Sequence, residues 1–167
     1  MSSPIWPIQG SPEFIALFGN PDTNGDGAPD PSWVTKHLTT IVPPYQMFYG
    51  KAKISRITVN TACAGALARA LQGILTHYGS QAAIQKVGMH RFSGCYNFRV
   101  KRGSRKLSMH AYAAAIDMDA GNNAMGKPGG SMPAAVVKIF KDQGAAWGGD
   151  WKTNHDPMHF QFARVKA

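Results

Sequence analysis

From Thr61 to Tyr78 the apolar residues Ala66, Leu67, Ala70, Leu71, Ile74, Leu75 and Tyr78 recur at the spacing of one helix face, and Gly79 follows as a stop. The pattern predicts a helix over residues 61–78 whose alanines pack closely on a neighbour. A second helix is predicted over 131–143, with Ser131 as cap, Pro133 in the first turn, Gly144 at the end, and Val136, Val137 and Phe140 facing the core. Between the two the period changes to two. In AAAIDMDA, Ile116 and Met118 fall on one side, and Ala115, Asp117 and Asp119 on the other. In MHFQFARV, Met158, Phe160 and Phe162 share a face opposite His159 and Gln161. Two strands are thus predicted, one presenting carboxylates and one a histidine. The first fifty residues are rich in Pro, Gly and Asn, with short apolar pieces such as FIALF. They predict an irregular opening segment over 1–58, wrapped on a core formed by 59–167.

A chain of 167 residues fits one domain and buries about two-thirds of its unfolded surface. Helices and period-two strands together predict an α+β domain in which helices pack on a small antiparallel sheet. No apolar run approaches the ~18 residues of a membrane span. The beginning, MSSPIWPIQG, has neither the basic start nor the apolar stretch of a signal peptide. Cys63 and Cys95 lack the CxxC spacing of a metal site and are expected to be two structural thiols. The net charge of +9 changes the picture more, because it predicts attraction to polyanions: nucleic acid, anionic lipid or an acidic cell envelope. Part of the excess sits in RVKRGSRK, residues 99–106, which reads either as a phosphate-binding patch or as a solvated loop.

The chemistry-bearing residues cluster late. HDPMH, residues 155–159, has the two-histidine spacing of a zinc-protease helix, yet Pro157 lies between the histidines and disfavours a helix there. A catalytic metal site needs three protein ligands and an open position. His110, seven residues before Asp117, together with His159 from a neighbouring antiparallel strand can supply them. Spacing alone leaves other triples open among six histidines, although His37, His77 and His90 stand in contexts suited to surface or capping roles. DTNGDGAPD places Asp22, Asn24, Asp26 and Asp30 around Gly27, like the first part of a calcium loop, but Trp33 stands where such a loop needs its closing Glu. Calcium ligation and a metal-free Asp/Asn turn are the two readings.

SMHAYAAAID resembles the SxHxxGxAxD motif of the zinc peptidases that include D-alanyl-D-alanine carboxypeptidases and phage L-alanyl-D-glutamate endopeptidases. WGGDWKTNHDPMHFQ is similar to the family's second motif, GCYNFR to its GYR-type segment, and FGNP to the opening of related phage enzymes. The resemblance implies that His110, Asp117 and His159 hold Zn2+. It implies that Asp156 is the general base that takes a proton from the attacking water and returns it to the leaving amine. It also implies that Arg99 stabilises the oxyanion, with Arg102 or Arg105 as alternatives, and that Ser108 orients the site. His155 is expected outside the metal, beside the cleft or in solvent, and Asp119 at the surface or behind the ligands. One departure is visible: Ala113 replaces the family's glycine, tolerable at negative φ and strained at positive φ.

The implied substrate is the peptidoglycan stem peptide. The expected reaction is hydrolysis of its L-alanyl-D-glutamate bond, with D-alanyl-D-alanine carboxypeptidase activity second. Charge, size and the N-terminal sequence suit a monomeric phage lysin without a separate wall-binding domain. Such a lysin is made in the host cytoplasm and reaches the wall through a holin-type lesion, or else is carried in the virion. Its charge would hold it to anionic envelope polymers. A nucleic-acid-binding protein acting through RVKRGSRK has no use for a base at Asp156, and a metal-stabilised binding module needs neither Asp156 nor Arg99. Asp156 and Arg99 therefore weigh against the non-catalytic module, and a basic nucleic-acid-binding protein is the alternative of another class, with salt-sensitive binding and no need for zinc as its marks.

Overall fold

The computed structural model describes residues 3–126 and 130–166. The strongest sequence pattern becomes the longest helix, α3 (Ala64–Tyr78), with Ala66, Leu67, Ala70, Leu71 and Ile74 buried along one face. Gly79 ends it in the left-handed conformation at φ 74°, which a residue without Cβ adopts at no steric cost. A neighbour does come close, at a glycine of this helix. α5 (Ala134–Asp142) packs against α3, and a Cβ added at Gly73 would stand 2.9 Å from Ile139.

The predicted start of α5 needs correction. Pro133 occupies the cap position, and the helix begins at Ala134 with no side-chain cap. Ser131 instead accepts a hydrogen bond from Asn123 at 3.5 Å. Proline fixes the φ that a helix start needs, so the helix can begin without the serine.

The opening segment is less irregular than its composition predicts. It holds α1 (Pro12–Phe18), α2 (Pro31–His37), β1 (Leu38–Ile41), β2 (Met47–Tyr49) and β3 (Ala52–Ile54). β1 pairs antiparallel with β4 (Ile57–Asn60), and β2 with β3. Phe14, Phe18, Trp33, Tyr45 and Met47 from this segment are buried in or against the main core. Asn60, fully buried, ties the segment to the rest by donating to the Phe18 and Tyr112 carbonyls at 3.2 and 3.0 Å.

The domain is α+β, with small antiparallel sheets. After α4 (Gln81–Lys86), the four-stranded sheet is built from β5 (Phe92–Gly94), β6 (Ala115–Met118), β7 (Ala146–Trp147) and β8 (His159–Gln161), in the order β5-β6-β8-β7. β6 and β8 are the predicted period-two strands, and they pair with Asp117 opposite His159 and Ile116 opposite Phe160. The apolar face of β8 meets α5, where Phe160 and Phe140 stack with centroids 4.1 Å apart.

Cys63 and Cys95 are free and buried, and burial pushes the Cys63 thiol up to about 12 and the Cys95 thiol well above its ordinary value. Phe160 links helix, sheet and metal-facing histidine, so Phe160→Ala is expected to cost about 3–5 kcal/mol of stability. Chemical denaturation measures this, and a loss below about 1 kcal/mol would show that the sheet does not depend on that layer.

Candidate metal centre

Three side chains converge from two strands and one turn. Asp117 and His159 face each other across β6 and β8, with His159 Nδ1 at 2.9 Å from Asp117 Oδ1. His110 comes from a 3-10 turn, Met109–Tyr112, whose Ser108 cap accepts from the His110 amide at 3.2 Å. His110 Nε2 lies 3.2 Å from Asp117 Oδ2 and 3.2 Å from His159 Nδ1. The ligand atoms all fall within 4.8 Å of one another, and no second group of three metal-ligating side chains gathers among the described residues. Ligands at zinc-type distances in tetrahedral array stand about 3.3 Å apart, so the spacing fits.

The outer hydrogen bonds decide what these atoms offer. His110 Nδ1 donates to the Cys95 carbonyl at 2.7 Å, which leaves Nε2 as a lone pair facing inward. Gln161 donates its amide to the Ala163 carbonyl at 3.2 Å, so its oxygen faces His159 and accepts from Nε2 at 3.1 Å. His159 Nδ1 is then also an inward lone pair. Two imidazole lone pairs and a carboxylate aimed at one point repel unless a cation or protons lie between them. His110 and His159 are only 4% and 5% exposed, so little water screens that repulsion.

The titration of the pair reflects the same pressure. Burial would raise the Asp117 carboxyl, but hydrogen bonds and charge from His110 and His159 outweigh it and hold it well below the usual carboxylate range. For His110, burial lowers the pKa, while Asp117 and the Cys95 carbonyl reverse the effect and leave it raised.

Asp156 is set beside the cluster by the WGGDW segment. The turn Gly148–Asp150 passes directly under it: the Asp156 amide donates to the Gly148 carbonyl at 3.0 Å, and a Cβ at Gly148 would come within 2.3 Å of the Asp156 carbonyl. Trp147 donates to the Pro157 carbonyl at 2.8 Å, and the His159 amide to the Asp156 carbonyl at 3.0 Å. Residues 155–158 form a turn leading into β8 rather than a helix, as Pro157 predicts. Burial raises the Asp156 carboxyl; His159, His110 and Arg99 oppose this and Asp117 adds to it, and the net shift is upward. Its Oδ1 is buried without a hydrogen-bond partner among the described residues.

The remaining expected residues divide. Arg99 is exposed, yet its charge reaches both His110 and Asp156. Arg102 and Arg105 lie farther along the exposed hairpin that follows. His155 stays outside the cluster, with Nδ1 3.3 Å from the Gly149 carbonyl.

Asp119 is not a surface carboxylate. It is 2% exposed, pairs with Arg91 at 3.0 Å and accepts from Asn122 with both oxygens. Ala113 does take the strained conformation, at φ 52°. That costs about 1–2 kcal/mol relative to an ordinary backbone, while its buried methyl returns roughly 0.8 kcal/mol.

In the DTNGDGAPD loop, Asp22 accepts from the Gly25 and Gly27 amides, Asn24 from Asp26, Asp26 from Ala28, and Asp30 from Thr23. The loop's own amides thus donate to these oxygens and hold Asp22, Asn24, Asp26 and Asp30 in one turn. The roles of Gln161 and the Cys95 carbonyl were missed in the sequence. Gln161 shares the His159 face at a spacing of two, which was the available signal.

Gln161→Leu removes the acceptor that holds His159, and is expected to weaken zinc binding about ten- to a hundred-fold in a metal titration. Unchanged affinity would show that the ring is held otherwise. In the metal-free protein, the lowered Asp117 adds stability above its unfolded pKa of about 3.9, and this is lost as pH falls. The raised His110 adds stability below about 6.5, and this is lost as pH rises through its folded value. The contribution of this pair to the thermal midpoint after chelation, read as the difference between the wild type and Asp117→Asn, should therefore be highest between about pH 4 and 6.5 and decline on both sides. A steady rise from pH 6 to 8 would contradict the pairing.

Comparison with known proteins locates this centre. No curated protein and no solved structure gives a significant match. Residues 102–162 match the family described as D-alanyl-D-alanine carboxypeptidase, and that span takes in the His110 turn, β6, α5, the WGGDW segment, Asp156 and β8. Over residues 102–162 the chain therefore carries a D-alanyl-D-alanine carboxypeptidase family domain, and its His110–Asp117–His159 cluster marks it as a metallopeptidase.

Proposed function

We propose that the protein is a zinc-dependent peptidoglycan peptidase that hydrolyses the L-alanyl-D-glutamate bond of the stem peptide, acting as a phage lysin. The observation that carries the hydrolytic reading is the buried, partnerless Oδ1 of the half-buried Asp156 carboxylate beside three inward-facing metal ligands. His110, Asp117 and His159 would hold the ion. Two neutral imidazoles and one carboxylate suit zinc, which when bound acts as a Lewis acid on a carbonyl and lowers the pKa of water.

The chain's own groups supply the rest. Asp156 Oδ1 takes the proton from the attacking water and returns it to the leaving amine, and its raised pKa fits it to do both. Arg99, whose charge already reaches this point, stabilises the negative charge that develops on the carbonyl oxygen. Ser108 fixes the turn that presents His110. Trp151, with its ring 5.4 Å from that of His159, shields one side of the cluster from water.

The choice of bond rests on the resemblance of FGNP, SMHAYAAAID and WGGDWKTNHDPMHFQ to the phage endopeptidases. The second reading, D-alanyl-D-alanine carboxypeptidase, is favoured by the description of the matching family. The charge of +9 supports an anionic envelope as the working surface, with access by holin-type release or from the virion.

Digestion of purified peptidoglycan with mass analysis separates the bonds: new L-alanine C-termini indicate the endopeptidase, released D-alanine the carboxypeptidase. Chelation should abolish either activity, and lysis unaffected by a chelator would overturn the reading. Asp156→Ala is expected to keep the fold and the metal while lowering kcat by about a hundred-fold or more. Retained turnover would remove Asp156 as the base. In the wild type, activity should fall as acid protonates Asp156, and this acid limb should be absent from the residual activity of Asp156→Ala.

A further inference from the structure

A cavity of about 730 Å3 lies between the opening strap (residues 8–15), the hairpin of residues 100–107 and the C-terminal stretch at 165–166. Its walls combine Ile15, Leu107, Tyr112 and Val165 with three cations, Lys101, Lys106 and Lys166. The hairpin forces two of these together. Val100 bridges Leu107, and the Lys101 amide donates to the Lys106 carbonyl at 2.9 Å, so the two lysines are cross-strand neighbours.

Like charges placed directly opposite destabilise a strand pair. Protein packed around the Lys101 ammonium, although the side chain keeps solvent contact, combines with the Lys106 charge to lower its pKa. Among the described residues no Asp or Glu lines the cavity and none of the three lysines is ion-paired.

We propose that this cleft binds a phosphate ester carried on an apolar or sugar-like body. An ester phosphate brings one negative charge as a diester and up to two as a monoester, with acceptor oxygens that more than one ammonium can share. The apolar walls hold the carrier. The cleft contains none of the metal ligands and does not rest on the proposed hydrolysis. It is nevertheless attached to that site: the Ser108 amide donates to the Arg99 carbonyl at 3.0 Å and closes the hairpin between Arg99 and the His110 turn.

Any protein of this charge binds polyanions weakly, so the test must separate the cleft from bulk charge. Inorganic phosphate titrated into the full chain should shift the amide resonances of Lys101, Lys106, Leu107 and Tyr112 ahead of those elsewhere. Affinity for a soluble poly(glycerol phosphate) oligomer and for phosphatidylglycerol vesicles is then compared between Lys101→Gln/Lys106→Gln and the control Lys51→Gln/Lys53→Gln. The control loses the same charge from exposed positions on and beside β3.

The cleft variant is expected to lose about tenfold or more in affinity, and the control no more than about twofold. Thermal melts establish that each variant is folded, and Lys106→Gln alone gives the same comparison if the double variant is not. Binding confined to the oligomer assigns the phosphate to a polymer, and binding confined to vesicles assigns it to a lipid headgroup. Equal weakening of both variants, or phosphate shifts spread evenly over the surface, would overturn the proposal.

Discussion

The pairing of β6 with β8 is the constraint from which the rest follows. Register in a sheet is a choice between two faces, since a slip of one residue turns every side chain over. Here Asp117 stands opposite His159 while Ile116 and Phe160 are buried. The apolar residues fix the register because exposing Phe160 would forfeit its stack on Phe140. The polar pair is then held in place by packing energy that it does not itself supply. His110 needs only a short turn to join, and that turn is anchored by Ser108, by Asn60 and by the Cys95 carbonyl.

This arrangement concentrates unfavourable electrostatics on purpose-built geometry. The hydrogen bonds from the far sides of both imidazoles turn their lone pairs inward, toward a carboxylate that burial alone would protonate. The cluster is stable as a set of acceptors only when positive charge sits among them. Asp156 is treated differently: its Oδ1 is buried without a hydrogen-bond partner among the described residues, and burial raises its carboxyl. Two carboxylates in one pocket thus have opposite titration behaviour, and the difference comes from their neighbours rather than from their chemistry.

Much of this was legible because the signals are periodic. The helix over α3, the two alternating strands and the non-helical HDPMH turn follow from side-chain spacing and one proline. The opening segment was not legible because its strands are three or four residues long and its helices seven, too short for a period to stand out. The burial of Asp119 could not be told from exposure in the sequence because its partner, Arg91, lies 28 residues earlier, just before β5. The cap of α5 was misplaced because Ser131 has a tertiary partner in Asn123. Ala113 showed the opposite case, where the sequence flagged the risk of strain and only the backbone could reveal that the strain is present.

The two ends of the described chain also meet. Ile8 bridges Arg164 in parallel, the Gln9 amide donates to the Arg164 carbonyl at 2.9 Å, and Arg164 Nε donates to the Trp6 carbonyl at 2.8 Å. Trp6 closes over Phe18 and Phe162 behind them. Local opening at residues 6–9 therefore also uncovers the Phe162 side of the core, so two stretches far apart in sequence are expected to exchange their amide protons as one unit.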